Sequence, residues 1–275
     1  MVIPCKEEQR SQAARRACNR ARSGLTHRMI VIGSKHPKLC KAFKVIESDQ
    51  LRFLGLCSRL IPHPSTGAAL PELRLERFAT RHVGPLDLRI GAGECVCLQG
   101  ASGSGKSLLL RALADLDPHT GEAWLDGVAC SAMSAPQWRR KVVLVAAESQ
   151  WWHARVGAHF PPGFERARLA ALDLPGEALD WEVARCSTGE RQRLALLRAL
   201  ALQPAALLLD EPTGNLDADS SARVEALVAD YRRDHAAAVL WVSHDARQAA
   251  RVASRCLVLR EGRLEAAATA AEVEA

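Results

Sequence analysis

Gly100, Gly103 and Gly105 precede Lys106 and Ser107 in the run Gly-Ala-Ser-Gly-Ser-Gly-Lys-Ser. This spacing fits G-x-x-x-x-G-K-[ST], a phosphate-binding loop. A polyphosphate can be cradled only where backbone N–H groups point inward and no Cβ blocks the approach, and the glycines permit this. Lys106 brings a fixed positive charge to the β and γ phosphates, and the hydroxyl of Ser107 is placed to ligate Mg²⁺. ATP or GTP is the expected ligand.

A second group sits far downstream. Ala206-Leu-Leu-Leu209 runs into Asp210 and Glu211, which puts two carboxylates at the C-terminal end of a buried strand, where ligands sit in open α/β sheets. Asp210 can hold Mg²⁺ and Glu211 can polarise a water for attack on the γ phosphate. The same Asp-Glu-Pro run would also serve to end a strand; the upstream loop favours the catalytic reading. His244 ends the apolar run Ala238-Val-Leu-Trp-Val-Ser, so it is expected on the same sheet edge. Cys186-Ser-Thr-Gly-Glu-Arg-Gln-Arg193 opens a long helix, with Ser187 and Glu190 spaced as a capping box. That helix start offers N–H groups and a dipole to an anion.

Elements alternating between strand and helix must position these residues. Strands are predicted at 72–78, 86–90, 94–99, 142–146, 205–209, 238–243, 256–259 and 263–266, with an edge strand and turn over 122–127. Helices are predicted at 108–116, 189–203 and 218–234, and from about Asp245. The fold class expected is α/β: a P-loop NTPase core with a mostly parallel sheet, helices on both faces and an antiparallel β edge. Residues 148–186 break the alternation with Trp151, Trp152, Trp181, a Pro161-Pro-Gly163 break and a helical stretch over 164–172, and read as a short helical insertion. The two adjacent tryptophans are open to two readings, an interface anchor or core aromatics.

Charge divides the chain. Residues 1–70 hold thirteen Lys and Arg against four Asp and Glu, whereas the remainder holds 24 basic and 27 acidic residues. The net charge of +6 is thus no evidence for nucleic-acid binding by the folded part. Residues 1–69 are expected to be a basic, disordered extension or the product of a start site placed too far upstream, residues 70–266 the folded domain, and 267–275 a tail. Nine scattered cysteines form no C-x-x-C pair, so the spacing indicates neither zinc nor a disulfide framework. Cys95 and Cys97 alternate on a strand and are expected as core residues. No run of about 18 uncharged apolar residues occurs, and no secretory signal is recognisable, which leads to the expectation of a cytosolic chain.

The phosphate loop, Ser187-Thr-Gly-Glu-Arg-Gln-Arg193, Leu-Leu-Leu-Asp210-Glu211-Pro-Thr-Gly-Asn-Leu-Asp217 and His244, in that order, resemble the nucleotide-binding subunits of ATP-binding cassette (ABC) transporters. The resemblance covers about residues 70–266. It implies an ATPase that uses Mg²⁺, with Gly100, Ala101, Ser102, Gly103, Ser104, Gly105, Lys106, Ser107 and Leu108 on the nucleotide, Ser107 and Asp210 on the metal, and Glu211 and His244 catalytic. It further implies two cassettes stacked head to tail, expected as a homodimer. Ser187, Thr188, Gly189 and Glu190 of one chain would meet the γ phosphate held by the other, with Asp217 at the seam. A separate transmembrane permease subunit would be the partner, and the chain would lie peripherally on the cytoplasmic face of the inner membrane. The rival implication is a soluble ABC-type ATPase that acts on a cytosolic protein complex without transport.

Departures are also visible. Ala147 stands where the family places a glutamine after the 142–145 strand, with Glu148 or Gln150 as replacements. Thr80, Arg81 and His82 stand where an aromatic stacks on adenine, and Leu108 stands where a second hydroxyl follows Ser107. The 211–217 run resembles lipoprotein-release and macrolide-export cassettes, and is too short to name a substrate.

Overall fold

The computed structural model describes residues 72–266. The expectations for residues 1–69 and 267–275 lie outside the described residues.

Two sheets form the frame. β1 (Leu73–Ala79) lies between β2 (Leu86–Ile90) and β4 (Thr120–Leu125), and β4 pairs with the short β5 (Val128–Ala129), all antiparallel. The sequence expectation of an edge strand at 122–127 is therefore corrected. The Asp126-Gly127 turn returns the chain as β5, whose Ala129 and Val128 pair with Trp124 and Leu125, so β4 is internal. Period-two alternation sends Leu73 and Leu75, and Leu86, Leu88 and Ile90, to the buried face.

The second sheet has the order β10-β9-β3-β8-β7-β6. Its members are β3 (Cys95–Gln99), β6 (Val142–Val145), β7 (Ala206–Asp210), β8 (Ala238–Val242), β9 (Arg255–Arg260) and β10 (Arg263–Ala266). All neighbours run parallel except β10, which folds back antiparallel on β9. Continuous apolar runs such as Ala206-Leu-Leu-Leu209 mark strands covered on both faces.

The two covers differ. Val96, Leu98, Leu208, Leu240 and Val242 face Leu109, Leu110 and Leu113 of α1 (Lys106–Leu113) and the inner side of the antiparallel sheet. Leu207, Leu209, Val239 and Trp241 face the other way, onto α3 (Thr188–Leu200), α4 (Ala218–His235) and the 148–186 segment. One face is thus shared by a helix and a second sheet, rather than by helices alone as the sequence suggested. Cys95 and Cys97 are buried, and burial pushes each thiol up to about 12, in keeping with core packing.

Helix boundaries follow local chemistry. α1 ends earlier than the apolar period suggests, because Asp115 adopts a left-handed φ of 54° that closes it. α2 (Ala135–Lys141) begins with a Ser134–Gln137 capping box and Pro136 in its first turn. The helical stretch expected over 164–172 is a 3₁₀ segment, Arg166–Leu172, and the whole insertion is a chain of 3₁₀ turns punctuated by Pro161, Pro162 and Pro175. Its ends are clamped together, with Val156 N donating to Trp181 O (3.0 Å) and Val183 N to Ala154 O (2.8 Å).

Trp138 of α2 is fully buried, and its Nε1 donates to Leu113 O at 2.8 Å, one of the free carbonyls at the end of α1. Trp138→Ala removes that bond and leaves a large void, so we expect a loss of about 3–5 kcal/mol in urea unfolding. A change within about 0.5 kcal/mol, the range of ordinary surface substitutions, would show that the packing is not needed.

Candidate functional site

Register brings the site together. β3, β8 and β7 are adjacent and parallel, with Leu98 and Asp210 both opposite Val242. The residues that follow each strand, Gly100–Leu108, Glu211 and His244, therefore leave one sheet edge together, as the alternation pattern led us to expect.

The loop after β3 needs its glycines. A Cβ on Gly100 (φ 146°) would lie 2.5 Å from Leu259 O, and one on Gly105 (φ 101°) would lie 2.4 Å from Val83 Cγ2. Lys106 opens α1 and is buried, with its Nζ donating to Gly100 O and Ala101 O at 2.9 Å each. Burial holds its pKa below the ordinary lysine value, and the carboxylates of Glu211 and Asp210 act against that shift. Leu108, the departure from the family pattern, is 40% exposed.

Asp210 is buried at the end of β7, and burial raises its pKa, while the nearby Ser107 hydroxyl and Lys106 charge act against that shift. A hydroxyl and a buried carboxylate facing each other form an oxygen donor pair of the kind a hard cation takes. Mg²⁺ fits this donor set.

Glu211 is held in a rare backbone conformation, φ 48°. Its N–H donates to Val242 O (3.2 Å), and its carbonyl accepts from Gly214 N (3.1 Å) and from Gln192 Nε2 (2.8 Å). The surrounding contacts thus over-determine the conformation and aim the side chain. His244 Nε2 lies 2.9 Å from Glu211 Oε1, and both side chains are partly open to solvent.

Behind this pair lies a polar network that the sequence did not announce. Gln248, on α5 (Ala246–Val252), is buried; its Oε1 accepts from Ser243 Oγ (2.9 Å), and its Nε2 donates to Thr213 Oγ1 (2.8 Å) and Glu225 Oε1 (2.9 Å). Arg251 clamps the same Glu225 with two bonds, and their pairing depresses the Glu225 pKa. One amide thereby ties the residue before His244 to the loop after Glu211. Neither Gln192 nor Gln248 stands out in sequence, since a glutamine on a helix is ordinary until its partners are known.

The start of α3 is capped as its spacing predicts: Glu190 N donates to Ser187 Oγ (3.2 Å) and Ser187 N to Glu190 Oε2 (2.8 Å). Thr188 is the first residue of α3, and Gly189 faces Leu216 and Asn215 O. Among the described residues, no hydrogen bond joins Ser187 or Glu190 to Gly100–Leu108. Asp217 caps α4, its carboxylate accepting from Ser220 N (2.8 Å) and Ser220 Oγ (2.9 Å), and these bonds lower its pKa.

The two tryptophans divide the two readings offered for them. Trp151 packs against the core, whereas Trp152 is 67% exposed. Arg198 of α3 lies over both rings, at 4.6 and 5.0 Å, and donates to Gln150 O at 3.0 Å. His159 Nε2 accepts from the N–H groups of Trp152 and His153, both at 3.0 Å, so the ring serves as a neutral acceptor, and burial lowers its pKa. Trp152, Gln150, Leu116, Val145, Arg198 and Leu202 line a groove of about 410 Å³. Glu148 and Gln150 are both exposed beside Ala147.

Comparison with known proteins agrees with this geometry. Residues 83–214 match the sequence profile of the family described as ABC transporter. The chain is 38% identical over 208 residues to the aliphatic sulfonates import ATP-binding protein SsuB 2 of Pseudomonas savastanoi pv. phaseolicola, covering 73% of this chain and 75% of the relative. It is 41% identical over 204 residues to SsuB 2 of Paracoccus denitrificans, covering 72% and 80%. It is 44% identical over 191 residues to SsuB 3 of Nocardia farcinica, covering 68% and 74%. In fold it is similar to a dimeric ATP-binding cassette in a post-hydrolysis state with ADP and Pi (TM-score 0.62, 24% identity, 70% of this chain and 96% of that one). At these identities and coverages, the chain belongs to the ATP-binding subunits of ABC transporters.

Proposed function

We propose that this chain powers a solute importer. As a member of its family it hydrolyses ATP and works with a separate membrane component. The observation that carries it is the convergence of Lys106, Ser107, Asp210, Glu211 and His244 on one sheet edge.

Lys106 and the loop N–H groups gather the polyphosphate, while Ser107 and Asp210 would hold the cation. Mg²⁺, when bound, offsets phosphate charge. Glu211 accepts a proton from water as it attacks the γ phosphate, and His244, hydrogen-bonded to that carboxylate, orients it. The N–H groups of Thr188 and Gly189, which the Ser187–Glu190 capping box does not engage, supply anion-binding capacity at the start of α3 together with the Ser187 hydroxyl proton. A second copy of this chain, stacked head to tail, completes the site with Asp217 near the seam.

Trp152 and the groove beside it, on the surface next to Glu148 and Gln150, provide the docking surface for the permease. The chain then lies peripherally on the cytoplasmic face of the membrane; among the described residues no helix is long and apolar enough to cross it. The relatives at 38–44% identity are named for import of aliphatic sulfonates, and we assign this chain the same solute class.

Glu211→Gln should lower turnover by at least about 100-fold with ATP binding retained, and half-normal turnover would remove Glu211 from the chemistry. Gln248→Leu should lower kcat about tenfold while the ATP Kd changes less than about twofold, because it loosens positioning without touching the phosphate loop. Gln248→Glu keeps the acceptor toward Ser243 but sets a carboxylate against that of Glu225, so it should lose more kcat than Gln248→Leu. Equal losses in both variants and in ATP affinity would point to general destabilisation.

Tagged Glu211→Gln, recovered from detergent-solubilised membranes, should carry a stoichiometric multi-span membrane protein; recovery with a cytosolic complex alone would favour the soluble ATPase. Cells lacking the chain should fail to grow on an alkanesulfonate as sole sulfur source and grow normally on sulfate. Normal growth on both would remove the solute assignment.

A further inference from the structure

We propose that Asp115, His119 and Cys130 form a binding site for a divalent transition-metal ion of the zinc type, separate from the nucleotide site. The three residues come from three segments. Asp115 closes α1, His119 precedes β4, and Cys130 follows β5 at the start of a 3₁₀ turn. One ligand atom from each lies within 4.8 Å of those of the other two. Their sequence spacing matches no familiar metal motif, which is why the sequence indicated no zinc; folding of the antiparallel sheet brings them together.

The surroundings suit an ion. His119 Nδ1 is buried without a hydrogen-bond partner, an orphan that a metal would satisfy. The His119 ring stacks on Phe78 at 4.5 Å between centroids, which fixes its orientation. Cys130 is 7% exposed. Glu122 fixes the turn that carries Cys130, its carboxylate accepting from Ser131 Oγ (2.5 Å) and Ser131 N (3.3 Å). Arg139 reaches the main-chain carbonyl of Asp115, at 3.3 Å, and leaves the carboxylate to the cluster.

Donor chemistry selects the metal. Cysteine sulfur, imidazole nitrogen and a carboxylate are zinc's common ligands, whereas Mg²⁺ takes oxygen donors, so the cation that accompanies ATP is not the one favoured here. Tetrahedral zinc places its ligand atoms roughly 3.3–3.8 Å apart, so the cluster must tighten by up to about 1.5 Å. Asp115 and His119 are half-buried and joined by a short connection, so side-chain rotation can supply that movement. Three protein ligands leave a fourth position for water. Binding replaces the Cys130 thiol proton with the metal, forming one S–metal bond and releasing one proton to solvent. The ion would pin the far end of α1, about 13 Å along the helix from Lys106, to the turn after β5.

The test is a Co²⁺ titration of the full chain without nucleotide. We expect one equivalent to bind with a thiolate-to-cobalt charge-transfer band and tetrahedral ligand-field absorption, displaced by Zn²⁺ and not by excess Mg²⁺. Cys130→Ser should lose the charge-transfer band, and Asp115→Asn and His119→Gln should keep it while weakening affinity more than about tenfold. Magnesium-dependent ATP turnover of each variant reports that it has folded. No saturable band, or a band that survives in Cys130→Ser, overturns the proposal. Should Cys130→Ser fail to fold, unchanged cobalt spectra and affinity in both other variants overturn it equally.

Discussion

Parallel pairing of β3, β8 and β7 is the constraint on which the rest of the molecule depends. Because three neighbouring strands end in step, the phosphate loop, the carboxylates and the histidine meet without any long-range adjustment. Everything else holds that edge in place. Leucines and valines on both strand faces exclude water from the sheet, α1 packs beneath the loop it extends, and the antiparallel sheet covers α1. Residues required to face phosphate charge are thus mounted on the stiffest part of the fold.

Two buried glutamines refine that mounting. Gln192 links the helix that begins at Ser187 to the backbone of Glu211, and Gln248 links the Glu211 loop to the residue before His244. In the proposed head-to-tail dimer, α3 is also the element that meets the partner's nucleotide. Gln192 then connects each chain's contribution to the opposite site with Glu211 of its own site, in a single hydrogen bond of 2.8 Å. Arg198 extends the same helix to Gln150 and the tryptophan pair at the proposed permease groove.

Much of this was legible in the sequence because it depends on backbone demands. Gly100 and Gly105 are glycines for reasons of φ and close approach, Ser187 and Glu190 cap one another three residues apart, and the buried runs before Asp210 and His244 are strands by composition. Features decided by tertiary packing were less visible. β4 is internal only because the chain turns back as β5, the insertion is built of 3₁₀ turns punctuated by Pro161, Pro162 and Pro175, and α1 stops where Asp115 turns left-handed. The Gln248 network depends on contacts between distant segments, and the acceptor role of His159 and the Asp115–His119–Cys130 cluster depend on how nearby turns fold back, which no residue pattern encodes.

The central claim is that one working site is built from two chains, and a mixing experiment tests it most directly. Lys106→Ala disables the phosphate loop alone. Ser187→Asp keeps a good helix cap but sets a carboxylate against the partner's γ phosphate. Each variant alone should be inactive. Mixed, they should regain ATP turnover, because a mixed pair contains one site with an intact loop from one chain and an intact Ser187 from the other. Full activity of Ser187→Asp by itself, or no recovery from a mixture shown to associate, would contradict the account.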